Sequence, residues 1–72
     1  MTCAEKIAKI EEIMELDPGE LALETRLVDY VEWDSISKLA FVSLVEETTG
    51  KMLSAEDVQK IVSVQDAAVL MG

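Results

Sequence analysis

The chain has 72 residues, half of them apolar, with no histidine, one cysteine and a formal net charge of −9, which predicts a single small domain over residues 1–72. The missing histidines and the lone Cys3 exclude the usual general base, a structural zinc site and a disulfide. The negative charge disfavours nucleic acid and membrane lipid as partners, and it favours proteins with basic patches.

The first predicted helix covers residues 3–16. Isoleucines recur at helical spacing within it, and Thr2 with Glu5 forms the sequence pattern of a capping box. Pro18 disfavours helical geometry at the residue before it, so the helix is expected to end just before this proline.

A connection over residues 17–33 follows, and it is long for so small a domain. Apolar residues along it should anchor it to the core, with a short helical turn near residues 27–31. These anchors are Leu21, Leu23, Leu27, Val28, Tyr30 and Val31. Trp33 is expected to pack at the corner where the connection meets the next helix.

The second predicted helix covers residues 35–49 and ends at Gly50. Seven of its ten residues 36–45 are apolar, and they spread around more than one face of the helix. Such a helix either lies in the centre of its bundle or keeps apolar surface for a ligand or partner.

Two further capping boxes open the last helices. The residues SAED at 54–57 begin a short helix that ends near residue 60 or 61, and SVQD at 63–66 begins a helix that ends near residue 71. The fold class is therefore predicted as all-α, a small four-helix bundle with a long loop between helices 1 and 2 and a short third helix.

The sequence also carries expectations about metals, location and assembly. Asp17 is followed by Pro18 and Gly19, which breaks the spacing of a calcium loop, so no metal site is expected. No segment approaches the roughly 18 apolar residues of a membrane span, and the first ten residues lack the apolar core of a signal peptide. We expect a cytoplasmic monomer with Cys3 as a free thiol.

The start of the second helix departs from the capping-box pattern. Three residues after Asp34 stands Ser37, and three residues after Ser35 stands Lys38. Asp34 can still serve as a simple N-cap, which leaves the Ser35 hydroxyl unused in the first turn. A catalytic serine is disfavoured, because there is no histidine to activate it. From the residues alone, Asp34-Ser35 is either an ordinary helix cap or a serine placed to carry a phosphate.

The order of these features resembles the acyl carrier protein family. Asp34-Ser35-Ile36 opens an apolar helix after a long loop, and the loop LALETRLVDYVEWDS is similar to the family's approach to its modified serine. The stretch LVEETTGKMLSAEDVQKIVSVQDAAVLM is similar to the second half of the family. The resemblance covers nearly the whole chain and implies a carrier of acyl or aminoacyl thioesters, not an enzyme.

The resemblance also implies residue roles. Ser35 would be the attachment site of a 4′-phosphopantetheine arm, taken from coenzyme A by a phosphopantetheinyl transferase, and Asp34 would support it. Loading and synthase enzymes with basic docking patches would contact Ile36, Glu46, Glu47, Glu56 and Asp57. The positions that can line an acyl-chain pocket, and that are core residues by default, are Leu39, Val42, Val45, Val58, Ile61 and Ala67.

Some residues depart from the pattern of carriers in fatty-acid synthesis. Glu32 stands where those carriers usually have a glycine, and Ser37 and Ala40 stand where they have acids, with Lys38 between. These departures favour a specialised fatty-acid, polyketide or related biosynthetic pathway. The alternative is a non-catalytic helical protein-interaction module in which Asp34-Ser35 is only a helix cap.

Overall fold

Four helices form the architecture of residues 2–72, which are the residues that the computed structural model describes. Helix α1 spans Cys3–Ile13, α2 Ser35–Thr49, α3 Ala55–Gln59 and α4 Val64–Leu70. A 3₁₀ turn, Leu27–Asp29, lies in the loop between α1 and α2. The predicted all-α fold, with its long first loop and short third helix, is confirmed. None of the described helices is both long and apolar enough to cross a membrane.

The core is shared by the helices and the first loop. Ile10 of α1, Phe41 and Val45 of α2 and Val64 of α4 are fully buried, and Leu27 brings the loop into the same cluster. Helix α1 packs against both α2 and α4. Each such side chain stabilises the fold by about 1.5–3 kcal/mol relative to an exposed position. The apolar core therefore holds α2 in place at its middle and at its C-terminal half.

The three predicted capping boxes all form. In each box the N-cap hydroxyl accepts a hydrogen bond from the third helical N–H, and the carboxylate at that third position accepts one from the N-cap N–H. The pairs are Thr2–Glu5, Ser54–Asp57 and Ser63–Asp66. These bonds, first of all those from the N-cap backbone, hold the pKa of each carboxyl below its ordinary value, 4.5 for Glu5 and 3.8 for the two aspartates.

Helix α1 ends three residues earlier than predicted, and Pro18 is not the cause. Glu15 adopts a left-handed backbone conformation with φ of 58°. The N–H of Leu16 donates to the carbonyl of Glu11 at 2.8 Å, and the N–H of Glu15 donates to the carbonyl of Glu12 at 3.2 Å. This pair of bonds is the Schellman motif, in which glycine usually occupies the left-handed position. Because a glutamate stands there, the sequence carried no sign of this helix end.

The loop after α1 is held from two sides. The carboxylate of Glu11, a buried residue, accepts a hydrogen bond from the backbone N–H of Leu21 at 2.9 Å. Farther along, the carbonyl of Thr25 accepts a hydrogen bond from the N–H of Val64, the first residue of α4, at 2.9 Å. The loop is thus tied to α1 at its beginning and to the start of α4 at its middle.

The apolar anchors predicted for this loop are only partly correct. Leu21 and Leu27 are buried, and Leu23 and Tyr30 are half-buried against the core. The remaining two were predicted wrongly, because they are exposed: Val28 and Val31. In the 3₁₀ turn the side chain of Leu27 is buried, whereas that of the next residue, Val28, faces solvent. Val31 therefore adds apolar surface close to the start of α2.

Candidate functional site

Ser35 is the first residue of α2 and is exposed. The preceding residue, Asp34, is the N-cap, and its Oδ1 accepts a hydrogen bond from the N–H of Ser37 at 3.0 Å. The cap does not use the Ser35 hydroxyl, which has no hydrogen-bond partner within residues 2–72. This differs from the serines that open α3 and α4, whose hydroxyls are occupied as caps. As predicted, Asp34 is the N-cap, and the hydroxyl of Ser35 is not needed for capping.

Ser37 ties the loop to the first turn of α2. Its Oγ donates a hydrogen bond to the carbonyl of Glu32 at 2.6 Å, and the residue is only 7% exposed. At the other three helix starts the residue in this position is an acid that accepts a hydrogen bond from the N-cap N–H, whereas Ser37 donates to a loop carbonyl. Ser37 is thus a buried positioning residue for the Asp34–Ser35 corner and not an open surface position for a partner.

Trp33 packs behind this corner, as the sequence predicted. It is 6% exposed, and its ring meets that of Phe41 edge to face, with centroids 5.8 Å apart and an interplanar angle of 72°. Such pairs add about 0.5–1.5 kcal/mol beyond the area they bury. Its Nε1–H is buried and has no hydrogen-bond partner among the described residues. Because Trp33 is the only tryptophan of the chain, tryptophan fluorescence reports on the surroundings of this one side chain, next to Asp34-Ser35.

Ser35 lines a groove between α2 and α3. We call it the α2–α3 groove; its volume is about 450 Å³, within the range of roughly 300–1,000 Å³ that small-molecule sites occupy. Its walls include Ser35, Lys38, Leu39, Val42, Leu53 and Val58. Apolar side chains dominate these walls, and the two polar side chains from α2 are those of Ser35 and Lys38. Lys38 and Leu53 were not predicted as pocket residues from the sequence.

The predicted acyl-pocket residues separate into two groups. Leu39, Val42 and Val58 line the α2–α3 groove beside Ser35. The other three do not line it, because they lie in the closed core: Val45, Ile61 and Ala67. The default expectation that all six are core residues is wrong for Leu39, which is 69% exposed. Helix α3 has five residues and is about 7 Å long, so it cannot cover the whole flank of the fifteen-residue α2.

Apolar side chains surround the candidate site on the outside. Ile36 is 78% exposed and Val31 86% exposed, and both lie within four residues of Ser35. The sequence offered two explanations for the apolar character of α2, a central place in the bundle or an apolar surface kept for a ligand or partner. The second holds around Ser35, while Phe41 and Val45 are buried in the core. Ile36 belongs to this surface and not to the rim of the core.

The acidic residues expected to meet partners are not equivalent. Glu46, Glu47 and Glu56 are exposed. Asp57 is half-buried, and its carboxylate accepts the N–H of Ser54 at 3.0 Å, so it is less free to meet a partner. Glu46 lies eleven residues after Ser35, which is about 16 Å along the helix. The exposed acids on α2 are therefore at the opposite end from the serine.

The chemistry open to this site follows from its neighbours. The carboxylate of Asp34 is engaged with a backbone N–H, and no histidine exists in the chain to withdraw a proton from Ser35. Within residues 2–72 no group of three or more histidine, cysteine, aspartate or glutamate side chains is arranged to hold a metal ion. The Ser35 hydroxyl can accept a group transferred by another enzyme, which would supply the base.

No family model, curated protein or solved structure matches this chain.

Proposed function

We propose that the chain is an acyl carrier protein, in which Ser35 bears a 4′-phosphopantetheine arm. One observation carries the proposal: an exposed serine hydroxyl, unused by the helix cap, lies on the wall of a mainly apolar groove. An ordinary cap needs neither the free hydroxyl nor the groove. The resemblance of residues 34–36 and of the flanking sequence to the carrier family supports the same conclusion.

In this proposal Ser35 is the acceptor in a phosphoryl transfer from coenzyme A. Its Oγ forms a bond to the phosphorus that carries the pantetheine, the bond from that phosphorus to the departing adenosine 3′,5′-bisphosphate breaks, and the serine proton passes to a base of the transferase. The arm, once attached, supplies a thiol that holds acyl or aminoacyl groups as thioesters. Asp34 and Ser37 keep the helix start rigid while the transferase acts.

The α2–α3 groove suits an acyl chain. Leu39, Val42 and Val58 offer apolar surface within reach of a chain tethered at Ser35. Burial of such surface contributes about 25 cal/mol per Å². The groove is open to solvent on one side, so a carried chain is shielded in part and remains accessible to the enzymes that use it.

Partner enzymes would approach along α2. Exposed Glu46, Glu47 and Glu56 suit the basic docking patches of loading and synthase enzymes, and Ile36 offers an apolar contact next to the serine. Exposed charge pairs contribute about 0.2–1 kcal/mol each, so several must act together. We place the protein in a specialised fatty-acid, polyketide or related pathway, as a monomer in a reducing compartment such as the cytoplasm, where the exposed Cys3 stays a free thiol.

A second candidate function is a helical protein-interaction module without a covalent arm. It is favoured by the exposure of Val31, Ile36 and Leu39, because neighbouring exposed apolar side chains are typical of a surface that a partner covers. In that case Ser35 is only the first helical residue after its cap.

Intact mass spectrometry separates the two functions. The protein is incubated with coenzyme A and a transferase of broad specificity, together with the variant Ser43→Ala as a control. Ser43 is an exposed serine on the same helix, and its loss should not matter. The carrier function predicts the mass of one added phosphopantetheine on both proteins. Unchanged masses, with a known carrier modified in the same reaction, would favour the interaction module.

A further inference from the structure

Lys38 stands beside Ser35 without an anionic partner. It lies three residues after Ser35 on α2, so the Cβ atoms of the two residues are about 5–6 Å apart, and both side chains line the α2–α3 groove. Residues 2–72 contain two ion pairs, Lys9–Glu12 and Arg26–Asp29, and Lys38 belongs to neither. Four of the six basic side chains form no ion pair within these residues, and Lys38 is the one of the four that lines the groove beside Ser35.

The surroundings of Lys38 do not supply this partner. Asp34, one turn earlier, is the nearest acid along the helix, and its carboxylate accepts the N–H of Ser37. On the other side, the groove presents Leu39, Val42 and Val58. Lys38 is half-buried and lines the groove together with these apolar side chains, and its flexible four-carbon chain allows the ammonium to move toward Ser35.

We infer that Lys38 binds the phosphate group that Ser35 carries after modification, an inference that rests on the proposed function. The phosphodiester adds one negative charge to a chain that already carries −9. Attachment to Oγ places this charge one helical turn from Lys38 and within reach of its ammonium. The ion pair offsets the added charge where it arises, and it directs the first part of the arm along the α2–α3 groove instead of outward into solvent.

A thermodynamic cycle tests this pairing without any assay of the carried group. Thermal unfolding midpoints are measured before and after modification for the wild type, Lys38→Gln, Lys38→Arg and Lys51→Gln. Lys51 is a matched control, because it follows the far end of α2, more than about 20 Å from Ser35 along the helix. Modification should lower the midpoint of Lys38→Gln by about 1–8 °C more than that of the wild type. Lys38→Arg should behave as the wild type, and so should Lys51→Gln.

Phosphorus NMR gives a second and local readout. The modified protein contains a single phosphorus atom, so its spectrum has one resonance. Lys38→Gln should move that resonance, Lys38→Arg should restore most of its position, and Lys51→Gln should leave it unchanged. A variant that only altered helix stability would not move the resonance.

The outcomes separate this inference from the proposed function. If the wild type gains no mass from coenzyme A and transferase, the carrier function and the role of Lys38 are both overturned. If the mass is gained, but modification shifts the midpoints of wild type and Lys38→Gln equally and the phosphorus resonance does not respond, only the role of Lys38 is overturned. The role of Lys38 is supported if both the unfolding midpoint and the phosphorus resonance respond to Lys38→Gln, while Lys38→Arg behaves as the wild type.

Discussion

Replacing Glu15 with glycine should stabilise the protein. Glu15 is the one residue other than glycine, within residues 2–72, that has a positive φ, and it closes the Schellman motif at the end of α1. The residue is exposed, so no packing is lost on truncation. A left-handed conformation at a residue with a Cβ costs about 1–2 kcal/mol, and glycine removes that cost.

Two smaller effects modify this gain. An acid at the negative end of a helix is unfavourable by about 0.3–1 kcal/mol, which Glu15→Gly also removes. Against this, glycine raises the conformational entropy of the unfolded chain, which costs about 0.4–1 kcal/mol. The relief of backbone strain is the largest of the three, so the net gain should be about 1 kcal/mol. In a domain of this size that corresponds to a rise in midpoint of about 4–8 °C.

The assay is thermal and urea unfolding followed by circular dichroism, with Glu15→Ala as the control. Alanine removes the charge and keeps the Cβ, so the strain stays and the rise in midpoint should be smaller than that of Glu15→Gly. Equal midpoints for Glu15→Gly and Glu15→Ala would show that charge alone matters at this position. A lower midpoint for Glu15→Gly than for the wild type would refute the assignment of strain to this helix end.

Four further predictions concern the rest of the molecule. Glu11→Ala should lower the free energy of unfolding in urea by about 1–3 kcal/mol, because it leaves the buried N–H of Leu21 unpaired. Glu11→Gln keeps an acceptor oxygen and should lose less stability. Equal losses would mean that this hydrogen bond does not anchor the loop. The thermal unfolding midpoint near neutral pH should rise when the salt concentration is increased from about 0.01 M to 0.15 M. The screening length then falls from about 30 Å, which is longer than the 27 Å molecule, to about 8 Å. An unchanged midpoint would show that the charge of −9 is compensated locally. The lowered pKa values of Glu5, Asp57 and Asp66 stabilise the fold at pH values above the ordinary pKa values of 4.5 and 3.8, and this contribution disappears as the pH falls through the folded-state pKa values. Glu5→Gln should therefore lose less stability between pH 5 and 3 than the wild type. Parallel plots of unfolding free energy against pH for the two proteins would contradict this role. Ala40→Glu should speed the encounter of the modified protein with fatty-acid synthase enzymes in a salt-sensitive way, and a wild type that serves those enzymes equally well would contradict the specialised-pathway proposal.

The parts of the fold that the sequence predicted well are those with local chemical signals. Helix α2 begins after Asp34 and ends at Gly50, which adopts a left-handed conformation with φ of 75°. The three capping boxes likewise depend on residues three positions apart, so their formation needs no knowledge of the tertiary structure. Trp33 was placed correctly because a large aromatic residue before a helix start is seldom left in solvent.

The errors arise where distant parts of the chain decide the outcome. The end of α1 depends on a strained glutamate, which carries none of the signal that a glycine would. Leu39 was expected in the core because helical periodicity marks apolar residues without showing which flank a neighbour covers, and Leu39 instead lies on the wall of the open α2–α3 groove. The partly buried hydrogen bond from Ser37 to the carbonyl of Glu32 depends on how the loop arrives at the helix. Lys38 gained its place in the site in the same way, through the position of α3.

The site of modification is the most direct test of the central proposal. The wild-type protein is incubated with coenzyme A and transferase, and the product is fragmented in the mass spectrometer to locate the added group; Ser35→Ala is treated in parallel. The carrier function predicts one phosphopantetheine, on Ser35 alone, and no mass increase for Ser35→Ala, which should still fold because Asp34 remains as the cap. A group found on another residue, or a full mass increase for Ser35→Ala, would contradict it.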